Sequence, residues 1–91
     1  MRKYLIERSI PGLGEATPEQ LAAMSEKSNE VLAGLGPQVH WVESFVTDDT
    51  LFCYYYAENE ELIREHARRG EFPCEKVTAV ATVIDPTTAT G

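Results

Sequence analysis

The sequence predicts an α+β domain whose elements follow the order β-α-β-β-α-β. Four segments rich in aromatic and β-branched residues are typical of strands, at 3–9, 38–47, 50–57 and 76–84. Two others, each preceded by a capping residue, carry apolar residues at three- and four-residue steps, as amphipathic helices do. The chain of 91 residues suffices for one core. We therefore expect a single domain over 1–86 and a mobile tail over 87–91.

The first helix has a clear start. Thr17, Pro18 and Gln20 form the signature of a capping box with proline at the first helical position. Gly36 marks the end of the helix. Its inward stripe is apolar except for one serine and consists of Leu21, Met24, Ser28, Val31, Leu32 and Leu35.

The second and third strands form a predicted hairpin closed by Asp48 and Asp49. If the loop has only these two residues, alternation gives each face of the hairpin its own set of side chains. One face then carries Val42, Ser44, Val46, Leu51, Cys53 and Tyr55. The opposite face carries Trp41, Glu43, Phe45, Phe52, Tyr54 and Tyr56. A bulge of one residue would exchange the faces in one strand.

The second helix is predicted over 60–69. Asn59 caps it, acidic residues occupy its first turn and basic residues its last, and Gly70 ends it. The whole pattern describes a ferredoxin-like split β-α-β sandwich, an antiparallel four-stranded sheet with both helices on one face. An extra short edge strand is a variant of this prediction. The other sheet face is left uncovered and carries aromatic side chains, so we expect the protein to form a homodimer through this face.

The charge balance disfavours several classes of partner. The net charge is −7, from 15 acidic and 8 basic residues. Nucleic-acid binding needs clustered lysine and arginine, and no apolar run approaches the roughly 18 residues that cross a bilayer. The N-terminus lacks the pattern of a signal peptide. We therefore expect a cytoplasmic protein that binds neither nucleic acid nor membranes. An acidic surface suits cations, although solvated acidic faces are common in small proteins.

His66 and Cys53 are the first candidates for metal ligands. His66 lies on or beside the inner stripe of the second helix, where it is either a metal ligand, a proton-transfer group or a satisfied boundary histidine. Cys53 lies inside an apolar strand, where a buried thiol is the alternative. Its distance in sequence from Cys74 fits neither a zinc knuckle nor a redox pair, so both thiols are expected to be free.

His40, Glu43 and Asp48 could form an open nitrogen-and-oxygen site of the kind that suits nickel or copper. The alternative for His40 is an ordinary surface histidine at the sheet edge. Strict alternation along the strand places His40 and Glu43 on opposite faces, which argues against both binding one ion directly.

The bare sheet face could also hold a pocket. If Glu7 points there, burial among aromatics would favour its protonated form, as a general acid requires. The same applies to Glu43. The alternative is that Glu7 pairs with Arg8, Arg2 or Lys3 across a strand or a dimer seam. Aromatic walls for such a pocket would come from Trp41, Tyr54 and Tyr56.

Five stretches taken together resemble a family of small bacterial ferredoxin-like proteins, largely of unknown function, with an actinobacterial nickel-binding group. They follow one another in order between residues 4 and 89: YLIERSIPG at 4–12, VHWVESFVTDD at 39–49, FCYYYA at 52–57, LIREHARRGEFP at 62–73 and VIDPTTA at 83–89. The resemblance implies a homodimer that binds Ni²⁺ at the dimer surface, for sequestration or tolerance. Matched positions that could bind the metal are His66, Cys53, Asp48 and Asp49, with His40 and Glu43 in the matched second strand.

Three functions therefore remain open. The first is a dimeric nickel-binding protein. The second is a dimeric α/β-barrel enzyme of the monooxygenase or isomerase type, which would use the aromatic sheet-face pocket. The third is a non-catalytic interaction module with a dimer interface alone.

Overall fold

The computed structural model describes residues 1–90. They form one antiparallel sheet in the strand order β2-β3-β1-β4, with two helices on one side. Short 3₁₀ helices lie at Leu13–Glu15 and Pro86–Thr90. The main elements are β1 (Arg2–Ser9), α1 (Pro18–Leu35), β2 (Val39–Val46), β3 (Thr50–Ala57), α2 (Glu60–Gly70) and β4 (Lys76–Ala79). The predicted ferredoxin-like fold is confirmed. Within residues 1–90 the sheet has four strands, without the extra edge strand.

The central strand β1 separates two environments. Tyr4, Ile6 and Arg8 face the helices and are buried, whereas Leu5 and Glu7 face the open side of the sheet. This alternation is the period-two pattern of a strand with one covered face. The apolar core lies on the helix side and consists of Tyr4, Ile6, Val39, Cys53, Tyr55, Ala57 and Ile63.

Both helices begin as predicted. The Thr17 hydroxyl accepts a hydrogen bond from the Gln20 amide at 3.1 Å, and the Gln20 side chain accepts one from the Thr17 amide at 2.9 Å. This reciprocal pair is the capping box. Asn59 accepts from the Leu62 amide at 3.0 Å and caps α2. Among the described residues, neither helix is both long and apolar enough to span a bilayer.

The end of α2 differs by one residue from the prediction. Gly70 is still helical, and Glu71 takes the left-handed conformation that closes the helix, with φ of 57°. Gly70 is required for another reason. A Cβ atom there would lie 2.3 Å from the ring of Phe72, so glycine lets this ring fold back across the helix end.

The hairpin has the predicted two-residue loop, but its faces differ because β2 contains a bulge. Trp41 pairs with Tyr55 and Glu43 pairs with Tyr54, so Val42 is an extra residue without a partner. From Glu43 onward the faces are as predicted. The prediction was wrong for Trp41, which the bulge places on the helix side.

Strand β4 ends at Ala79 rather than at 84. Its last backbone hydrogen bond to the sheet joins the Val80 amide to the Lys3 carbonyl at 2.9 Å. In this register β1 begins too late to pair with residues beyond about 81, so the β-branched sequence that follows has no neighbouring strand. Val83 and Ile84 are therefore exposed. The predicted mobile tail includes Gly91, which lies outside the described residues.

Candidate functional site

A polar cluster lies between the sheet and the helices. Each of its members comes from a different element: Arg8 from β1, Ser28 from α1, Tyr55 from β3 and His66 from α2. All four side chains are buried. Because buried polar groups need partners, the cluster must satisfy its hydrogen bonds internally or with a ligand.

His66 stands at the centre of this cluster. Its Nε2 lies 3.1 Å from the Ser28 hydroxyl, and its Nδ1 lies 3.4 Å from the Tyr55 hydroxyl. Burial, assisted by the charge of Arg8, lowers the pKa of His66 from 6.5 to about 4. The imidazole is therefore neutral at physiological pH, and both ring nitrogens already have hydrogen-bonding partners.

Arg8 is held by two contacts. Its Nη1 donates to the Pro73 carbonyl at 2.6 Å, and its guanidinium lies 5.6 Å from the centre of the Phe72 ring. Burial acts to lower the pKa of Arg8, but Tyr55 and Cys53 raise it, and the net shift is upward. The group is therefore charged. Its Nη2 is buried and has no hydrogen-bonding partner.

Tyr55 and Cys53 complete the polar floor on β3. Burial raises the pKa of Tyr55, so its phenol stays protonated. The Cys53 sulfur accepts a hydrogen bond from the Ser44 hydroxyl at 3.0 Å, and Ser44 accepts one from Trp41 Nε1 at 2.9 Å. Both cysteines of the chain are free. The bulge in β2 creates this chain of contacts by turning the indole inward.

A cavity of about 160 Å³, partly open to solvent, adjoins the cluster. Arg8, His66 and Tyr55 line its polar side. Its apolar side is formed by residues of α1 and of the hairpin, with Ile10 beside them: Leu21, Met24, Val46 and Leu51. The predicted aromatic pocket was placed on the open sheet face, whereas this cavity lies on the helix side.

The open sheet face carries the remaining candidates. The Glu7 carboxylate lies 4.0 Å from the ammonium of Lys76 on the neighbouring strand, so it pairs across strands with a partner other than the expected Arg8, Arg2 or Lys3. The ammonium of Lys3 lies 4.8 Å and 5.1 Å from the ring centres of Tyr54 and Tyr56. These aromatic rings are therefore in contact with a cation at the surface.

The bulge also corrects the expected placement of His40 and Glu43. His40 pairs with Tyr56 and Glu43 with Tyr54, two residues apart on β3. With Val42 as the extra residue, both side chains lie on the open face at successive positions, about 7 Å apart along the strand. Alternation had predicted opposite faces, and that prediction was wrong.

The candidate metal ligands lie in three separate places. His66 and Cys53 are in the interior, Asp48 and Asp49 are in the hairpin loop, and the His40–Glu43 pair is on the open face. Across residues 1–90 of one copy, no group of three or more histidine, cysteine or acidic side chains is placed to hold a metal ion.

The sequence interpretation missed Arg8 and Ser28. Both left a signal. Arg8 interrupts the buried alternation of Tyr4 and Ile6, and Ser28 is the one polar member of the inward stripe of α1. A polar residue at a core position indicates a buried polar partner or a ligand.

Comparison with known proteins gives a family and a fold. Residues 4–80 match the sequence model of the family described as nickel responsive protein SCO4226-like, and the chain therefore belongs to this family. The crystal structure of SCO4226 from Streptomyces coelicolor A3(2) superposes with a TM-score of 0.75 at 15% identity. The match covers 90% of this chain and 99% of that one, and it shows the same fold. No curated protein matches the chain in sequence.

Proposed function

We propose that the protein binds Ni²⁺ as a homodimer and thereby sequesters the metal or contributes to nickel tolerance. The family description, which names a nickel response, supports the choice of metal. The observation that carries the site is the placement of His40 and Glu43 side by side on the open face. An imidazole nitrogen and a carboxylate oxygen together suit divalent nickel better than they suit Mg²⁺ or Ca²⁺.

A second copy completes the ligand set. One copy offers two neighbouring ligands on this face, and residues 1–90 offer no group of three within one copy. Two copies related by a two-fold axis present the same residues to each other, so two pairs become four ligands. Nickel then stabilises the dimer, because the complete site exists only between the copies.

The exposed apolar surface supports this pairing. Leu5, Phe45 and Tyr56 on the open face are large and more than a third exposed. Val83 and Ile84, which follow β4, are also exposed. Burying such residues against a second copy removes apolar area from water and favours association.

The other candidate ligands are secondary in this proposal. Both nitrogens of His66 and the sulfur of Cys53 are occupied by hydrogen bonds, so a metal would have to displace Ser28, Tyr55 or Ser44. Asp48 and Asp49 are exposed in the loop, and the Asp49 carboxylate already accepts from the Thr50 hydroxyl at 3.1 Å.

The test is a calorimetric titration of the tag-free protein with Ni²⁺, Zn²⁺ and Co²⁺, with light scattering to follow the mass. We expect saturable binding that prefers nickel, at one site per dimer, with a shift of mass toward the dimer. His40→Ala and Glu43→Gln should each weaken binding by about tenfold or more, or 1.4 kcal/mol. Glu26→Gln, an exposed carboxylate on α1, is the matched control and should leave binding unchanged.

Binding that is weak and equal for all three metals would contradict the proposal, as would nickel binding that survives both substitutions. A dimer that forms without any metal binding would favour the interaction module instead.

A further inference from the structure

The least satisfied polar group of the interior is the guanidinium of Arg8. It is 2% exposed, and within residues 1–90 no carboxylate forms an ion pair with it. Its Nη1 is bound by the Pro73 carbonyl, while its Nη2 has no partner. A buried charge is costly unless a counter-charge and hydrogen bonds compensate it, so this site is electrically incomplete.

The cavity beside Arg8 has room for the missing partner. Its volume of about 160 Å³ is close to the roughly 150 Å³ of a dry protein cavity that admits benzene. Leu21 and Met24 of α1 and Leu51 of β3 add apolar side chains to its lining. A ligand that suits both Arg8 and this apolar lining has one charged end and a compact apolar body.

We propose that this cavity binds a small monocarboxylic acid, with the carboxylate against the guanidinium of Arg8 and an apolar body about the size of one ring against Leu21, Met24 and Leu51. The site lies on the helix side of the sheet, apart from the metal ligands proposed above, and adds a second ligand to the protein.

The charge of the surroundings selects a monoanion. Arg8 is the single cation among the lining residues, and its neighbours Tyr55 and His66 are both neutral at physiological pH. A carboxylate therefore matches the charge of the site and accepts a charge-assisted hydrogen bond. A phosphate dianion would bring one uncompensated charge into an apolar cavity.

Arg8 is also arranged in advance for this task. The Pro73 carbonyl fixes one end of the guanidinium, and the Phe72 ring lies beside it. Gly70 permits that ring position, because any Cβ at residue 70 would collide with it. A fixed donor loses little conformational freedom on binding, which favours affinity.

The test uses benzoate, its uncharged analogue benzamide and inorganic phosphate, each titrated into the purified protein by calorimetry. We expect one benzoate per chain, with benzamide and phosphate each weaker by about tenfold or more, because the charge-assisted hydrogen bond is lost or mismatched. Arg8→Met should abolish the preference for benzoate over benzamide and leave the thermal midpoint unchanged or higher. Arg64→Met, which removes an exposed arginine of α2, is the matched control.

A second variant covers the case in which Arg8→Met does not fold. Met24→Trp fills the cavity from α1 and leaves Arg8 itself in the chain, and it should weaken benzoate binding by about tenfold or more. Equal affinity for benzoate and benzamide, preference for phosphate, or the absence of saturable benzoate binding would each overturn the proposal. His40→Ala should bind benzoate like the parent protein, so failure of the nickel site is distinguishable from failure of this one.

Discussion

The two faces of the sheet differ in how their polar side chains find hydrogen-bonding partners. On the helix side, His66 and Ser28 bind each other in the interior, and the Arg8 Nη2 is left without a partner. On the open side, His40 and Glu43 are exposed, and water can satisfy them. An unpartnered atom on the covered face therefore points to a missing ligand, whereas an unpartnered group on the open face carries no such information. The covered face thus combines an unpartnered cation with a cavity, and the open face combines two exposed ligand side chains at successive positions.

The largest expected effect tests whether side chains on the covered face contribute more to the free energy of unfolding than side chains on the open face. Ile6 is completely buried, and its neighbour Leu5 is 36% exposed on the opposite face. We expect Ile6→Ala to lower the free energy of unfolding by about 2–5 kcal/mol, because it leaves a cavity in the core. Leu5→Ala should lower it by about 1 kcal/mol or less in the monomer. Urea unfolding measures both.

The Leu5 variant has a second readout. If the open face forms the dimer, Leu5→Ala raises the protein concentration at which light scattering detects dimers. Equal losses of stability in the two variants at a concentration where the protein is monomeric would show that the open face is covered by the chain itself.

The second-largest expected effect is a loss of folding stability in acid, which arises from His66 on the helix side of the sheet. The pKa of His66 is about 4 in the folded protein and 6.5 at its ordinary value. As pH falls from 6.5 to about 4, the unfolded chain takes up a proton that the folded chain does not, so stability falls. The loss attributable to His66 reaches about 3 kcal/mol and levels off below the folded pKa. Urea unfolding at several pH values in this window measures it.

His66→Gln supplies the comparison, since glutamine keeps a donor and an acceptor but does not titrate. We expect the variant to lose less stability than the parent between pH 6.5 and 4. His40→Gln, on the open face, should keep the full acid sensitivity. If both variants lost the same stability between pH 6.5 and 4, the conclusion that His66 is neutral in the folded protein would be wrong.

The sequence was sufficient for the fold but not for the faces of β2. The element order, the capping box at Thr17 and the two-residue loop at Asp48 and Asp49 depend on local chemistry, and all three were predictable. The bulge was not, because an extra valine in a run of strand formers leaves no mark in the composition. The early end of β4 depends on where β1 begins in the pairing register, and local sequence does not reveal that register.

The site shows the same limit. His66 was identified as an inward-facing residue, but its partners Ser28 and Tyr55 come from other elements. Arg8 was considered only as a partner for Glu7, although its position in the alternation of β1 places it inside. Sequence patterns indicate which residues face inward, while the pairing of polar groups from distant segments requires the assembled fold.

The smallest expected effect tests the bulge that sets the two faces of β2. Removing Val42 would leave His40, Trp41 and Glu43 in strict alternation, with their present partners on β3 and on their present faces. We therefore expect deletion of Val42 to lower the free energy of unfolding by only about 1 kcal/mol, from the lost contacts of a half-exposed side chain. Urea unfolding and the fluorescence of Trp41, which should stay that of a partly buried indole, measure the outcome.

Deletion of Ser44 is the matched control, because it removes one residue from the same strand with the opposite consequence. Val42 would then enter the ladder opposite Tyr54, and Glu43 would move opposite Cys53 on the helix side. Burying that carboxylate should lower stability by about 3 kcal/mol or more. A Val42 deletion as damaging as the Ser44 deletion would mean that the bulge is needed for the curvature of β2. In that case the bulge would serve the curvature of β2, and the placement of His40 and Glu43 on one face would follow from that curvature.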